Sequence, residues 1–298
     1  MLINRVPAAL VPRPVAASVL SVAPQIADTF CPVSRAAGQG GDRAGNPAHR
    51  PSPMPSVTPA ARAELAPTGR LRVGLNYSNF LLVSKRAPDP TGVAPDLSRE
   101  LAKRLGVDVE FVGYENAGLA ADGATTGAWD VAFIGAEPAR AAEIAFTAAY
   151  AEIEATYLVP PGSPIRTLDE VDRPGVRIAT TARAAYTLYL ERTLRHAALC
   201  YAEGLQGSFD LFMRDQLDVL AGLTARHLQE IERLAGARIL DGRFTTIRQA
   251  LGTPKHRPAA AAYLAAFTEE IKSSGLVAEL IERHGARGLR VAPPWRGD

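Results

Sequence analysis

GRLRVGLN (69–76), GVAPDLSRELAKRLG (92–106) and VDVEFVGY (107–114) follow one another at the start of the compact part of the chain. The first is a short run with alternating apolar positions, the pattern of a half-buried strand. In the second, Leu97, Leu101 and Leu105 share one helical face and Gly106 supplies a stop. The third reads as the next strand. Strand, helix and strand in that order predict a βαβ unit, and therefore a parallel sheet with helices on its faces.

The alternation continues outward from this unit. GAWDVAFIGAEPARAAEIAFTAAY (127–150) holds a third strand around 130–134 and a polar turn about Pro138, and IEATYLVPPGSPI (153–165) reads as a strand leaving one lobe for another. A second half restarts with a strand GVRIATT (175–181), a helix ARAAYTLYLERTL (182–194) and a strand AALCYAE (197–203). A helix at 207–216, a strand LDVLAGL (217–223), a helix at 224–236 and the short edge element ARILDG follow. TTIRQALGTPKHR (245–257) looks extended and crosses back to the first lobe. Two helices close the pattern, the first opened by Pro258, with Gly275 and Gly285 as stops. The last segment, ARGLRVAPPWRGD, frays or packs by Trp295. The predicted class is α/β, with two lobes joined by two crossing strands.

Composition fits such a chain without choosing it. The 298 residues are 47% apolar and 6% aromatic, and 33 basic against 31 acidic side chains leave a net charge of +2. Nothing there calls for nucleic acid or a membrane surface as partner. Residues 1–60 hold five Arg, two acids and ten Pro, so the basic excess belongs to this segment. Its low-complexity stretch buries too little surface to order itself, and 1–66 is expected to be a disordered or misannotated tail. Prolines 7, 12, 14 and 24 break its apolar opening short of the roughly 20 residues a bilayer needs. Arg5 with VAASVLSVA forms a weak export signal, and Met54 is the alternative start. Cys31 falls in the tail, while Cys200, in AALCYA, is expected to be a buried inert thiol. Neither GxGxxG nor a Walker sequence accompanies the βα units, so no nucleotide cofactor is expected. Nor is there an HExxH, a compact metal cluster or a nucleophile–base pair; His196, His227, His256 and His284 are widely spaced. No catalytic or metal-binding residue is assigned.

Taken in order, GRLRVGLN, GVAPDLSRELAKRLG, GAWDVAFIGAEPARAAEIAFTAAY, TLDEVDRPGVRIATT and the paired C-terminal helices resemble the extracellular solute-binding proteins of ABC importers. The likeness is to the family 3 group typified by amino-acid receptors, over about residues 67–285. It implies a bilobal periplasmic-binding-protein-like fold of type II. Lobe one would take 67–157 and 246–285, lobe two 158–245, and 286–298 would be a C-terminal tail. It also implies a periplasmic, monomeric substrate-binding component with an ABC permease as partner; the weak export segment leaves a cytoplasmic location as the alternative.

Arg140, just beyond an apolar strand, is the first candidate for the cleft, since a planar guanidinium grips a carboxylate with two parallel hydrogen bonds. The resemblance places the family's carboxylate-binding Arg at the same point. Asn76 and Tyr77 end the first strand, one offering a directional bond and the other a wall. Gly135 and Glu137 occupy the loop where the family contacts ligand, although that loop is shorter and less Ser-rich here. Thr180 and Thr181 precede a helix whose first N–H groups suit an anion. Arg183 and Ala184 stand where the family often has Gly followed by Ser or Thr, so Arg183 is a candidate second cation. Leu223, followed by Thr224, occupies the place of the family's acidic anchor for an amino group. A buried ammonium without a carboxylate is expensive. Either the ligand lacks an α-amino group or Glu137 supplies the countercharge. The expected ligand is thus a small organic anion or amino acid. A dehydratase-like enzyme using Glu137 and an arginine, or a metabolite sensor outside transport, are the competing functions.

Overall fold

The structure, a computed structural model, describes residues 56–296. In chain order its elements are α1 (Pro59–Leu65), β1 (Arg70–Asn76), α2 (Val93–Leu105), β2 (Asp108–Tyr114), α3 (Ala117–Asp122), β3 (Val131–Gly135) and β4 (Ile144–Val159). Then come β5 (Arg177–Thr181), α4 (Ala185–Thr193), β6 (Ala198–Ala202), α5 (Gly204–Arg214), β7 (Val219–Leu223), α6 (Thr224–Glu230) and β8 (Arg238–Ile239). The last are β9 (Thr245–Pro254), α7 (Pro258–Ser273), α8 (Leu276–Arg283) and β10 (Leu289–Val291).

The opening βαβ unit forms as its periodicity dictates. Leu71, Val73 and Leu75 of β1 share a core with Leu97, Leu101 and Leu105 of α2; burying each leucine contributes about 1.5–3 kcal/mol. Gly106 ends α2 in the left-handed conformation, where a residue with a Cβ is strained. Across the sheet the strands run β2-β1-β3-β9-β4-β7-β5-β6, with β8 and β10 also on β4. β1 is parallel to β2 and β3, and β5 is parallel to β6 and β7. Two parallel βα arrangements therefore flank β4 and β9, which pair antiparallel from Ile144–Pro254 to Ala155–Thr245. This is the bilobal α/β pattern expected, with two crossing strands.

Asp130 fixes β3 against β1 and α7. Its buried carboxylate accepts from Arg72 Nε (3.0 Å), Arg72 Nη2 (2.7 Å), the Arg72 N–H (3.0 Å) and Arg257 Nη1 (2.7 Å). The hydrogen bonds that Arg72 donates to Asp130 raise the Arg72 pKa above its ordinary value.

Several local expectations need correction. A packed helix, α1, lies inside the segment assigned to the tail, because it has its own cap and its own partners. Thr58 Oγ1 accepts from the Ala61 N–H, Ala61 and Leu65 are buried, and Glu64 receives the Ala260 N–H at the start of α7 (2.7 Å). The export-like segment, Cys31 and Met54 lie outside the described residues. EIAFTAAY belongs to β4, which is sixteen residues long. The helix expected from 182 starts at 185, since Arg183 takes a left-handed φ of 58°. α6 stops at Glu230 and a 3-10 turn replaces its predicted end. Residues 289–291 pair with β4 through Leu289–Ile153, while Trp295 is 65% exposed and packs little. Cys200 is only half-buried, against the core of Phe209 and Phe212. Among the described residues no helix is long and apolar enough to cross a membrane.

Candidate functional site

Because β1 and β3 run parallel to each other in one half and β5 runs parallel to β6 and β7 in the other, their C-terminal ends carry the loops that face a common cleft. Asn76, Gly135 and Thr181 are the last residues of these strands. All three line one cavity of about 50 Å³, together with Arg140 and the start of α4.

Arg140 is 7% exposed. It donates from Nη1 to the Gly135 carbonyl (2.7 Å) and from Nη2 to the Arg183 carbonyl (2.9 Å). The left-handed turn at Arg183 allows that second contact. Among the described residues Arg140 has no ion pair. Burial lowers its pKa to about 10, opposed by Glu137 and reinforced by Arg183. Asn76 Oδ1 accepts from the Ser78 N–H (3.1 Å) and hydroxyl (2.8 Å), which leaves its NH2 as the group to offer. The Thr181 hydroxyl lies 3.0 Å from Ser208 Oγ and 3.3 Å from the Gly204 carbonyl. Gly135 must stay small: a Cβ there would meet Ile247 at 3.0 Å and Ala185 of α4 at 3.1 Å.

The other four candidates are not brought into the cavity. Tyr77 packs on Gly113 under Arg86 and faces an outer cleft of about 730 Å³. Thr180 is fully buried and bonded to Thr187 (2.7 Å). Glu137 pairs with Arg192 of α4 (2.7 Å). Arg183 makes two bonds to Asp122 (2.6 and 3.0 Å) and one to the Gly118 carbonyl (3.1 Å). It borders a separate recess of about 210 Å³. Neither Glu137 nor Arg183 lines the cavity, although both act electrostatically on Arg140.

These last two residues do something else. Arg183–Asp122, Arg192–Glu137 and an Asn116–Glu203 hydrogen bond (3.3 Å) join the half built on β1 and β3 to the half built on β5. These contacts bridge the two halves across the cleft. The bonds from Arg183 hold the Asp122 carboxyl below the usual carboxylate range. Its contribution is present above that range and lost as pH falls through the depressed value. Asp122→Asn should open the unliganded protein, raising the radius of gyration by about 1 Å over the roughly 18 Å of a compact chain this size. X-ray scattering at low and high salt checks this, with salt having the larger effect on the native protein.

Asn79, Tyr186, Leu205, Leu223, Ile247 and Gln249 also line the cavity, and only Leu223 stood out in the sequence. A signal for Gln249 exists: it occupies the same parity as Ile247 and Leu251 in β9, so an amide sits in an apolar register. Asn79 and Tyr186 carry no comparable mark.

A family model described as bacterial extracellular solute-binding proteins, family 3, matches residues 71–287. A search of the curated proteins gave no match. Among solved structures, a mutant of ArgBP from T. maritima is 19% identical, with a TM-score of 0.63 over 76% of this chain and 100% of that one. The ancestral amino acid-binding protein AncCDT-1, a precursor of cyclohexadienyl dehydratase, is 22% identical over 74% and 98%, with a TM-score of 0.62. The amino acid ABC transporter substrate-binding protein AbpA from Streptococcus pneumoniae, bound to L-arginine, is 16% identical over 74% and 97%, at 0.61. At such identities these structures share the fold alone. The family match spans most of the compact chain, and the chain belongs to the bacterial extracellular solute-binding proteins, family 3.

Proposed function

We propose that this protein closes its two lobes, 67–157 with 246–285 and 158–245, over a small carboxylate and presents it, as a monomer, to an ABC permease. The observation that carries this reading is Arg140: a buried guanidinium at the cavity wall with no acidic partner among the described residues. A buried charge without a countercharge is costly, and an anionic ligand removes that cost. The start of α4 supports it from the other side. Ala184, Ala185 and Tyr186 line the cavity, and no side chain caps the free N–H groups of this nine-residue helix. Helix N-termini favour negative charge. A carboxylate held between Arg140 and α4 would bridge the lobes, and the ion pairs of Asp122 and Glu137 would close outside it.

Thermal shift followed by calorimetry tests the reading. A carboxylate present at about 100 times its Kd should add about 2.7 kcal/mol to the stability. Stabilisation by neutral or cationic solutes, with none from carboxylates, would sink it.

A further inference from the structure

We propose that the cavity selects against amino acids and takes a short hydroxy- or oxo-carboxylate. This rests on the carboxylate-receptor reading above and asks which group it accepts beside the carboxylate.

No Asp or Glu lines the cavity; Arg140 is its one charged lining residue. The acids around it are already engaged elsewhere: Glu137 with Arg192, Asp122 with Arg183, and Glu203 with Asn116. An α-ammonium bound here would lose its water beside a buried guanidinium, with no carboxylate lining the cavity to pair with it. What the cavity offers instead is neutral. Gln249 is 3% exposed, and no hydrogen bond ties its side-chain amide to the described residues. Asn79 is 8% exposed, with Oδ1 buried and unpartnered. The Tyr186 hydroxyl is buried beside Thr181 without a well-aligned hydrogen bond, and burial raises its pKa, so it remains an O–H donor. Buried polar groups are nearly always bonded. The unpartnered Asn79 Oδ1 and the unbonded Gln249 amide lie at one cavity, where a ligand can supply the partners. An amide and a phenol match a hydroxyl or a keto oxygen; amide oxygens would accept from an ammonium but bring no charge to balance it.

Size narrows the class further. A volume of about 50 Å³ takes about three to five water-sized groups. Leu205, Leu223 and Ile247 wall it, which favours a short skeleton.

The test uses matched skeletons on the full chain by calorimetry: glycolate, lactate and pyruvate against glycine and L-alanine, with propionate as the member lacking an α-group. Hydroxy or oxo acids should bind at least about 100-fold tighter than the amino acids. Gln249→Leu and, separately, Tyr186→Phe should weaken lactate or pyruvate by about tenfold or more each while leaving propionate unchanged. A merely structural role for either residue would weaken propionate equally, and that result would overturn their part in selection. Equal or tighter binding of glycine or alanine overturns the selectivity and leaves the carboxylate receptor standing. No binding by any of the six overturns the short-acid inference, and the receptor reading then stands or falls on the wider carboxylate screen.

Discussion

Asp130→Ala should cost about 3–5 kcal/mol of folding stability and lower the melting temperature by about 10 °C or more, the largest loss expected from any single substitution in this chain. The carboxylate is fully buried and satisfies two arginines at once, Arg72 through two of its side-chain nitrogens and Arg257 through one. Alanine leaves both partly buried guanidiniums without their shared carboxylate between β1, β3 and α7. The damage spreads along the chain, because Arg257 also donates to the Glu64 carbonyl and Glu64 receives the Ala260 N–H. Asp130→Asn keeps shape and one acceptor but not the charge, and should fall between alanine and the native residue. Urea denaturation measures the difference; a loss below about 1 kcal/mol would mean that water reaches both arginines.

How far the sequence reveals such a molecule depends on whether a residue's partner is local. The βαβ opening is legible because Leu97, Leu101 and Leu105 repeat at helical spacing and all face one core. β9 is legible as extended, and it does cross between the halves. α1 and α3 are not, since a helix of six or seven residues rich in Ala has no period to read. Only the caps Thr58 and Asn116 announce them, and such residues are as common in turns. The same rule sorts the candidate site. Arg140, Asn76, Gly135 and Thr181 end or follow apolar strands, and strand ends meet at the cleft whatever the loops do. Glu137 and Arg183 also stand there in the sequence, but their partners Arg192 and Asp122 are 55 and 61 residues away and draw them to the seam. Gln249 is hidden for the opposite reason: polar residues inside a crossing strand look like interruptions until the other lobe folds over them.

Arg140→Met should lower the affinity for the carboxylate ligand by about 100- to 1,000-fold, the equivalent of two charge-assisted hydrogen bonds lost together. Methionine fills a similar volume, so the cavity wall survives the change. Two of the five guanidinium N–H groups serve the Gly135 and Arg183 carbonyls, and the other three remain to meet an anion. Arg140→Lys preserves charge but not the fork, and should recover part of the loss. The titration of Arg140 gives an independent signature. Its pKa of about 10 lies below the ordinary arginine value. Carboxylate binding, which requires the charged form, should therefore fall as pH rises through about 10, a limb absent from Arg140→Met. The unliganded protein should respond in the opposite sense. Burial disfavours the charged form in the fold, so raising the pH from about 10 toward the unfolded-state value relieves that penalty and adds stability from this group. Affinity and apo stability moving in opposite directions over one pH window, both flattened by the methionine variant, would tie the buried charge to the ligand. An affinity limb that persists in Arg140→Met would place the anion site on another residue.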